Sequence, residues 1–150
     1  MTSDKNKATD IVALILGLII FAFGFLKFFD PFHTWFHVQI AKGGLPAGAF
    51  PLGIAAEILI GLTFIASFVA RSRLGEKRYL VLAAASLGLI ANMLVATYVH
   101  LQPDVPAEVL PLGIKPPVIP LTFMAVAVWE LVHVLPLRAR AGGTPASGER

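Results

Sequence analysis

Cysteine is absent from this chain of 150 residues. That excludes disulfide exchange, thiol catalysis and cysteine-ligated zinc or iron–sulfur clusters. Charge is scarce too: Asp, Glu, Lys and Arg make up 14% of the residues, against roughly a quarter in an average soluble domain. The shortfall is concentrated in long uncharged runs. No Walker loop, GxGxxG turn or nucleophile elbow occurs, so neither a phosphate cradle nor a hydrolase elbow can be read.

What the chain has in abundance is apolar surface, with 57% hydrophobic residues and a mean hydropathy of +0.79. Four runs, 11–29, 52–70, 79–99 and 118–137, are free enough of charge to cross a bilayer. A hydrocarbon core of ~30 Å needs about 20 helical residues. A soluble bundle would carry a polar stripe along each helix, and these runs hold only isolated polar residues. The expected fold is an all-α membrane protein, a four-transmembrane-helix antiparallel bundle. Its expected organisation is a cytoplasmic segment at 1–10, the bundle at 11–137 and a disordered tail at 138–150. The first run follows Lys5 and Lys7 as a secretory signal would, but no small-x-small cleavage pattern succeeds it. A retained helix is expected.

The basic residues set the expected orientation. Lys5, Lys7, Arg71, Arg73, Lys77, Arg78, Arg138, Arg140 and Arg150 fall on one side, and Lys27, Lys42 and Lys115 on the other. Nine against three places both termini in the cytoplasm of a multi-pass inner (plasma) membrane protein. The lipid bilayer is then the first partner, and the basic pI of about 9.5 needs no nucleic acid to explain it.

The two outer connections are unlike ordinary loops. Asp30-Pro31 offers a helix start, Phe32, Trp35, Phe36 and Ile40 recur at helical spacing, and Gly43-Gly44 supplies a stop. This predicts a short amphipathic helix at the outer interface. The second connection, 100–120, holds six of the eleven prolines, at 103, 106, 111, 116, 117 and 120. Such backbone is stiff and cannot be one helix. It reads either as a cap over the outer end of the bundle or as a rigid spacer without a partner.

Ionisable groups inside a span face a bundle interior or a cavity. Lys27, Glu57, Asn92, Tyr98 and His100 fall towards the outer end, and Lys115 joins them from the proline-rich segment. Together they form the expected polar pocket. Lys27 and Glu57 are opposite charges at similar depth on neighbouring spans; their pairing would serve ligand contact, proton handling or helix register. Gly53, Glu57 and Gly61 repeat every four residues, as do Ala84, Gly88, Asn92, Ala96 and His100, while Gly17 and Gly24 are a heptad apart. Small residues at such spacing let helices approach closely. Glu130 and His133, three apart, read as a proton relay with Glu57 or as a polar patch near the cytoplasmic exit. His33 and His37 could place two imidazoles on one ion, but two ligands are an incomplete set, so no metal is expected. No catalytic residue can be assigned.

Three segments, GFLKFFDPF, GIAAEILIGL and DVPAEVLPLGIKPP, carry a resemblance. In them, and over roughly 11–137, the chain resembles the DoxX-like membrane proteins, a bacterial family of small four-helix proteins. The resemblance implies a membrane subunit associated with a redox enzyme, as in thiosulfate:quinone oxidoreductases or oxidative-stress complexes. It carries Lys27 and Glu57 over as a shared polar site, makes quinone the cofactor to expect, and makes a redox-enzyme subunit the partner. Two further readings stand beside it. A small proton-coupled transporter would use Glu57 and Glu130 at different depths and would need a homodimer to enclose a path. A non-catalytic scaffold or assembly subunit would use the same polar groups for packing alone.

Overall fold

The computed structural model describes residues 2–141, with side chains from 7 to 139. All regular structure among them is helical: α1 (Thr2–Leu26), α2 (Phe32–Lys42), α3 (Ala49–Val69), α4 (Arg71–Leu74), α5 (Lys77–Leu101) and α6 (Val118–Ala141). Two single 3₁₀ turns, Ala107–Val109 and Pro111–Gly113, lie between α5 and α6. Four helices are long and apolar enough to cross a membrane, over Lys7–Leu26, Ala49–Val69, Lys77–Leu101 and Val118–Ala139. The chain is thus a four-helix bundle of membrane-spanning composition. The tail expected to be disordered from 138 lies mostly outside the described residues, and its described part, 138–141, continues α6.

The ends of the spans differ from the sequence expectation for local reasons. α1 begins before position 11 because Asp10 and Lys7 are absorbed into its first turns, and it ends at Leu26 rather than 29. There the backbone tightens into turns, with the Phe28 and Phe29 amides donating to the Phe25 and Leu26 carbonyls at 3.1 and 3.0 Å. α6 runs through Pro136 to Ala141. That proline removes one N–H from the ladder close to the end of the span, where the loss matters least.

α2 stops at Gly43-Gly44 as its sequence announces, but it starts one residue late, with Pro31 rather than Asp30 at the N-cap. The Asp30 carboxylate accepts hydrogen bonds from the Thr34 hydroxyl at 2.6 Å and the Thr34 amide at 3.3 Å. At the other end the Leu45 amide reaches back to the Ile40 carbonyl at 3.1 Å, across Gly44 at φ +67°. This is a left-handed helix stop that favours glycine.

Glycine also sets how closely α1 and α3 approach. A Cβ on Gly61 would lie 2.5 Å from the Phe21 amide nitrogen, and one on Gly17 would lie 2.9 Å from Phe64 Cβ. Gly24 faces Glu57 in the same way. The matched positions climb one helix as they descend the other, so α1 and α3 run in opposite directions. The core between the four long helices contains Leu16, Ile20, Phe64, Leu82, Leu89, Ala127 and Val134.

One end of the bundle is closed by two pieces. Phe36 and Ile40 of α2 are buried with Ile54 of α3, and Phe36 lies directly over Gly53. Val105 and Leu110 of the proline-rich segment pack with Val99 of α5. The Gln39 side-chain amide donates to the Val109 carbonyl and joins the two pieces. Lys115 donates to the carbonyls of Gln102 and Val105 and fixes the segment's own path. At the opposite end, Arg78 of α5 grips Asp10 of α1 at 3.0 Å and donates to the Tyr79 hydroxyl at 3.1 Å.

Candidate functional site

Beneath this closure lies a cavity of about 540 Å³, well within the range of small-molecule sites. The C-terminal ends of α1 and α5 and the N-terminal ends of α3 and α6 supply its walls, while α2 and the segment Val109–Leu112 roof it. Most of the wall is apolar, through residues such as Ile20, Phe23, Met93, Val99, Ile119 and Phe123. Phe23 and Phe123 meet edge to face, with centroids 6.0 Å apart, between α1 and α6.

Polar groups are few. Lys27 donates to Glu57 Oε1 at 2.6 Å, and the two side chains are only 15% and 12% exposed. The ammonium also sits 3.6 Å from the centroid of the Phe36 ring, where the ring's negative face adds attraction. Gly24 makes the pairing geometrically feasible: a Cβ there would lie 2.9 Å from Glu57 Cβ. The other Glu57 oxygen, Oε2, has no partner among the described residues. His100 is buried and its Nδ1 donates to the Ala96 carbonyl at 2.8 Å, while its Nε2 has no partner among the described residues. Asn92 completes the polar wall.

Lys27, Glu57, Asn92 and His100 therefore meet at one cavity, and two other residues expected there do not. Tyr98 is 46% exposed and absent from the lining. Lys115 also lies off the cavity, its ammonium committed to backbone carbonyls of the proline-rich segment. Both departures have the same origin: proximity in sequence to the outer end does not fix which way a side chain turns.

Glu130 and His133 are separated as well. Glu130 is fully buried, and neither carboxylate oxygen has a hydrogen-bond partner among the described residues. His133 is half-buried, stacked on Trp129 with centroids 4.2 Å apart, with Nδ1 bonded to the Trp129 carbonyl at 2.8 Å. Spacing allows them a common face; their surroundings differ completely.

His33 and His37 both present edges to Phe50, at 5.0 and 5.6 Å between centroids. His33 Nδ1 also bonds the Lys27 carbonyl at 3.0 Å. Among the described residues no group of three or more His, Cys, Asp or Glu side chains could hold a metal ion.

Two features of the site, and one at the opposite end of the bundle, were not read from the sequence. Phe36 serves both as the partner of Gly53 and as the platform for Lys27. Gln39 ties the roof together, and its only sequence signal is a lone amide three residues beyond Phe36. Asp10 and Arg78 form a second ion pair joining two helices, legible in principle by the same depth matching that pairs Lys27 with Glu57.

Chemically, the arrangement can enclose an apolar body and hydrogen-bond a polar head at its charged wall. Searches for similar proteins found no match to this chain among family models, curated proteins or solved structures.

Proposed function

We propose that this chain is a DoxX-like integral membrane subunit of a quinone-linked redox system, which holds a lipophilic ligand with a polar head in the outer half of its bundle. The single observation that supports this most is the cavity of about 540 Å³: its wall is largely apolar, its polar residues being the Lys27–Glu57 pair, Asn92 and His100, with Gln39 and Thr122 bonded to backbone carbonyls. A water-soluble metabolite would need many more polar contacts than this wall offers. A quinone has the matching shape, an apolar body with oxygens at one end.

The route of entry fits the same class of ligand. The lining residues that are themselves exposed are Phe32, Val95, Leu112, Val118 and Thr122. All are apolar but Thr122, whose hydroxyl is turned back onto the Val118 carbonyl at 2.8 Å. A mouth of this chemistry opens to lipid rather than to water. In this reading the bundle is antiparallel with both termini cytoplasmic, α2 lies at the outer interface, and the proline-rich segment keeps the pocket from the aqueous phase.

The test is extraction and mass spectrometry of lipophilic molecules from protein purified in native-membrane discs. Wild-type protein should retain a quinone, counted in its oxidised and reduced forms together, near stoichiometry. Ala96→Phe, which adds a ring to the cavity wall, should retain none while still purifying as a folded protein. Equal retention by both, or retention by neither, would sink the proposal.

A proton-coupled transporter is favoured by one separate observation, the buried carboxyl of Glu130, which has no partner among the described residues. Proton flux into liposomes that is abolished by both Glu57→Gln and Glu130→Gln would establish that reading instead.

A further inference from the structure

The donor and acceptor inventory of the cavity narrows the ligand's head group. His100 is 4% exposed and its Nδ1 lies 2.8 Å from the Ala96 carbonyl. A carbonyl only accepts, so Nδ1 carries the proton, and in the neutral ring Nε2 is left as an acceptor. It has no donor among the described residues. Glu57 is in a similar position: Oε1 receives Lys27 at 2.6 Å, and Oε2 receives no bond from the described residues.

The donors of the wall are largely spent. Lys27 is directed at Glu57 and at the face of Phe36, Gln39 at the Val109 carbonyl, and the Thr122 hydroxyl at the Val118 carbonyl. The Trp35 indole and the Asn92 amide keep N–H groups, but both residues are partly exposed. The buried atoms that lack a partner in this wall are therefore both acceptors.

An unpaired acceptor buried in an apolar wall is costly, and a ligand that supplies its proton recovers that cost. A ligand head with only carbonyl or ether oxygens would set lone pairs against lone pairs. We infer that the head group recognised here donates O–H hydrogen bonds, to His100 Nε2 and Glu57 Oε2, and that the ligand is an apolar molecule bearing a phenolic or alcoholic hydroxyl. This rests on the lipophilic-ligand reading and selects the reduced, hydroxyl-bearing form of such a ligand over its carbonyl form. A hydroxyl has one proton to donate, so a single hydroxyl satisfies one acceptor, and a head with two hydroxyls can engage both Glu57 of α3 and His100 of α5.

A matched pair of probes tests it: a long-chain alkylphenol and its methyl ether, titrated into the full-length protein in lipid discs and followed by tryptophan quenching. Trp35 lines the cavity and reports on occupancy. The phenol should bind about tenfold more tightly than the ether, the worth of one buried hydrogen bond. Whichever of His100→Phe and Glu57→Gln removes the engaged acceptor should shrink the preference, and the double variant should bring it towards unity, with the ether's own affinity little changed. Equal affinities for the two probes in the wild type would overturn the inference and leave the pocket reading standing. Binding of neither probe would overturn both. A phenol preference that survives both substitutions would overturn the assignment to these residues. The wild-type ratio decides even where a variant fails to fold.

Discussion

Gly24 and Glu57 lie so close that a Cβ added to Gly24 would sit 2.9 Å from the Cβ of Glu57. The glycine on α1 is therefore what admits the carboxylate of α3 to the same depth as Lys27. Gly24→Leu should force the two helices apart and displace Glu57 from the ammonium. Overpacking of this kind costs about 1–3 kcal/mol, so the midpoint of unfolding in detergent should fall. Ligand binding should be lost together with it, since the displaced group lines the cavity. A variant with unchanged midpoint would show that the interface is looser than the contact implies.

The Lys27–Glu57 pair makes a prediction of opposite signs. Lys27→Met strands Glu57 with its charge uncompensated, at a cost of about 3 kcal/mol for groups this buried. Adding Glu57→Leu to Lys27→Met removes the stranded charge and should recover most of that loss. Denaturant unfolding of the two single variants and the double variant measures the coupling directly. Simple additivity of the two singles would mean that the pair makes no net contact in the membrane.

Gln39 is the tie between the two halves of the roof. Gln39→Leu keeps the side chain's bulk but leaves the Val109 carbonyl without its donor, at a cost of about 1 kcal/mol. Hydrogen exchange should quicken at the amides of Leu110 and Gly113, which close the 3₁₀ turns at 3.0 and 2.9 Å. The amides of α3 and α5 should exchange as before. Global acceleration would instead make the roof an integral part of the bundle's cooperative unit.

Asp30 supplies the pH dependence. Hydrogen bonds from the Thr34 hydroxyl first, and the Thr34 amide second, hold its carboxyl below the usual carboxylate range. A group with a depressed folded-state value contributes stability above its unfolded value and loses it as pH falls through the folded value. The start of α2 should therefore loosen only at the acid end, below the ordinary Asp range. In Thr34→Val the loosening should move to higher pH, visible as an upward shift of the Asp30 carboxyl titration by NMR. An unshifted titration would remove the hydrogen bonds as its cause.

The elements that were legible in the sequence are those set by a local rule or a simple depth count. The four apolar runs, the Asp30-Pro31 start and Gly43-Gly44 stop of α2, and the helical breaks in the proline-rich segment all follow from residue chemistry. Lys27 and Glu57 could be paired because opposite charges at one depth rarely stay apart in lipid. Rotation about a helix axis is what the sequence withholds. Tyr98 and His100 are two residues apart, hence roughly 200° apart around the helix, and only packing decides which of them turns inward. Glu130 and His133 are only about 60° apart, yet the edge of the core falls between them. Lys115 belongs to a segment without periodicity, so its commitment to the Gln102 and Val105 carbonyls had no sequence signal.

The two ion pairs among the described residues sit at opposite ends of α1. Asp10 lies near one end of α1 and pairs with α5, and Lys27 follows the other end and pairs with α3. The positions are separated by 17 residues, about 25 Å of helix. A piston stroke of α1 along its own axis would break both contacts at once, with no replacement charge a turn above or below. α1 therefore acts as a fixed post, and any breathing that admits a ligand must come from the elements that lean on it.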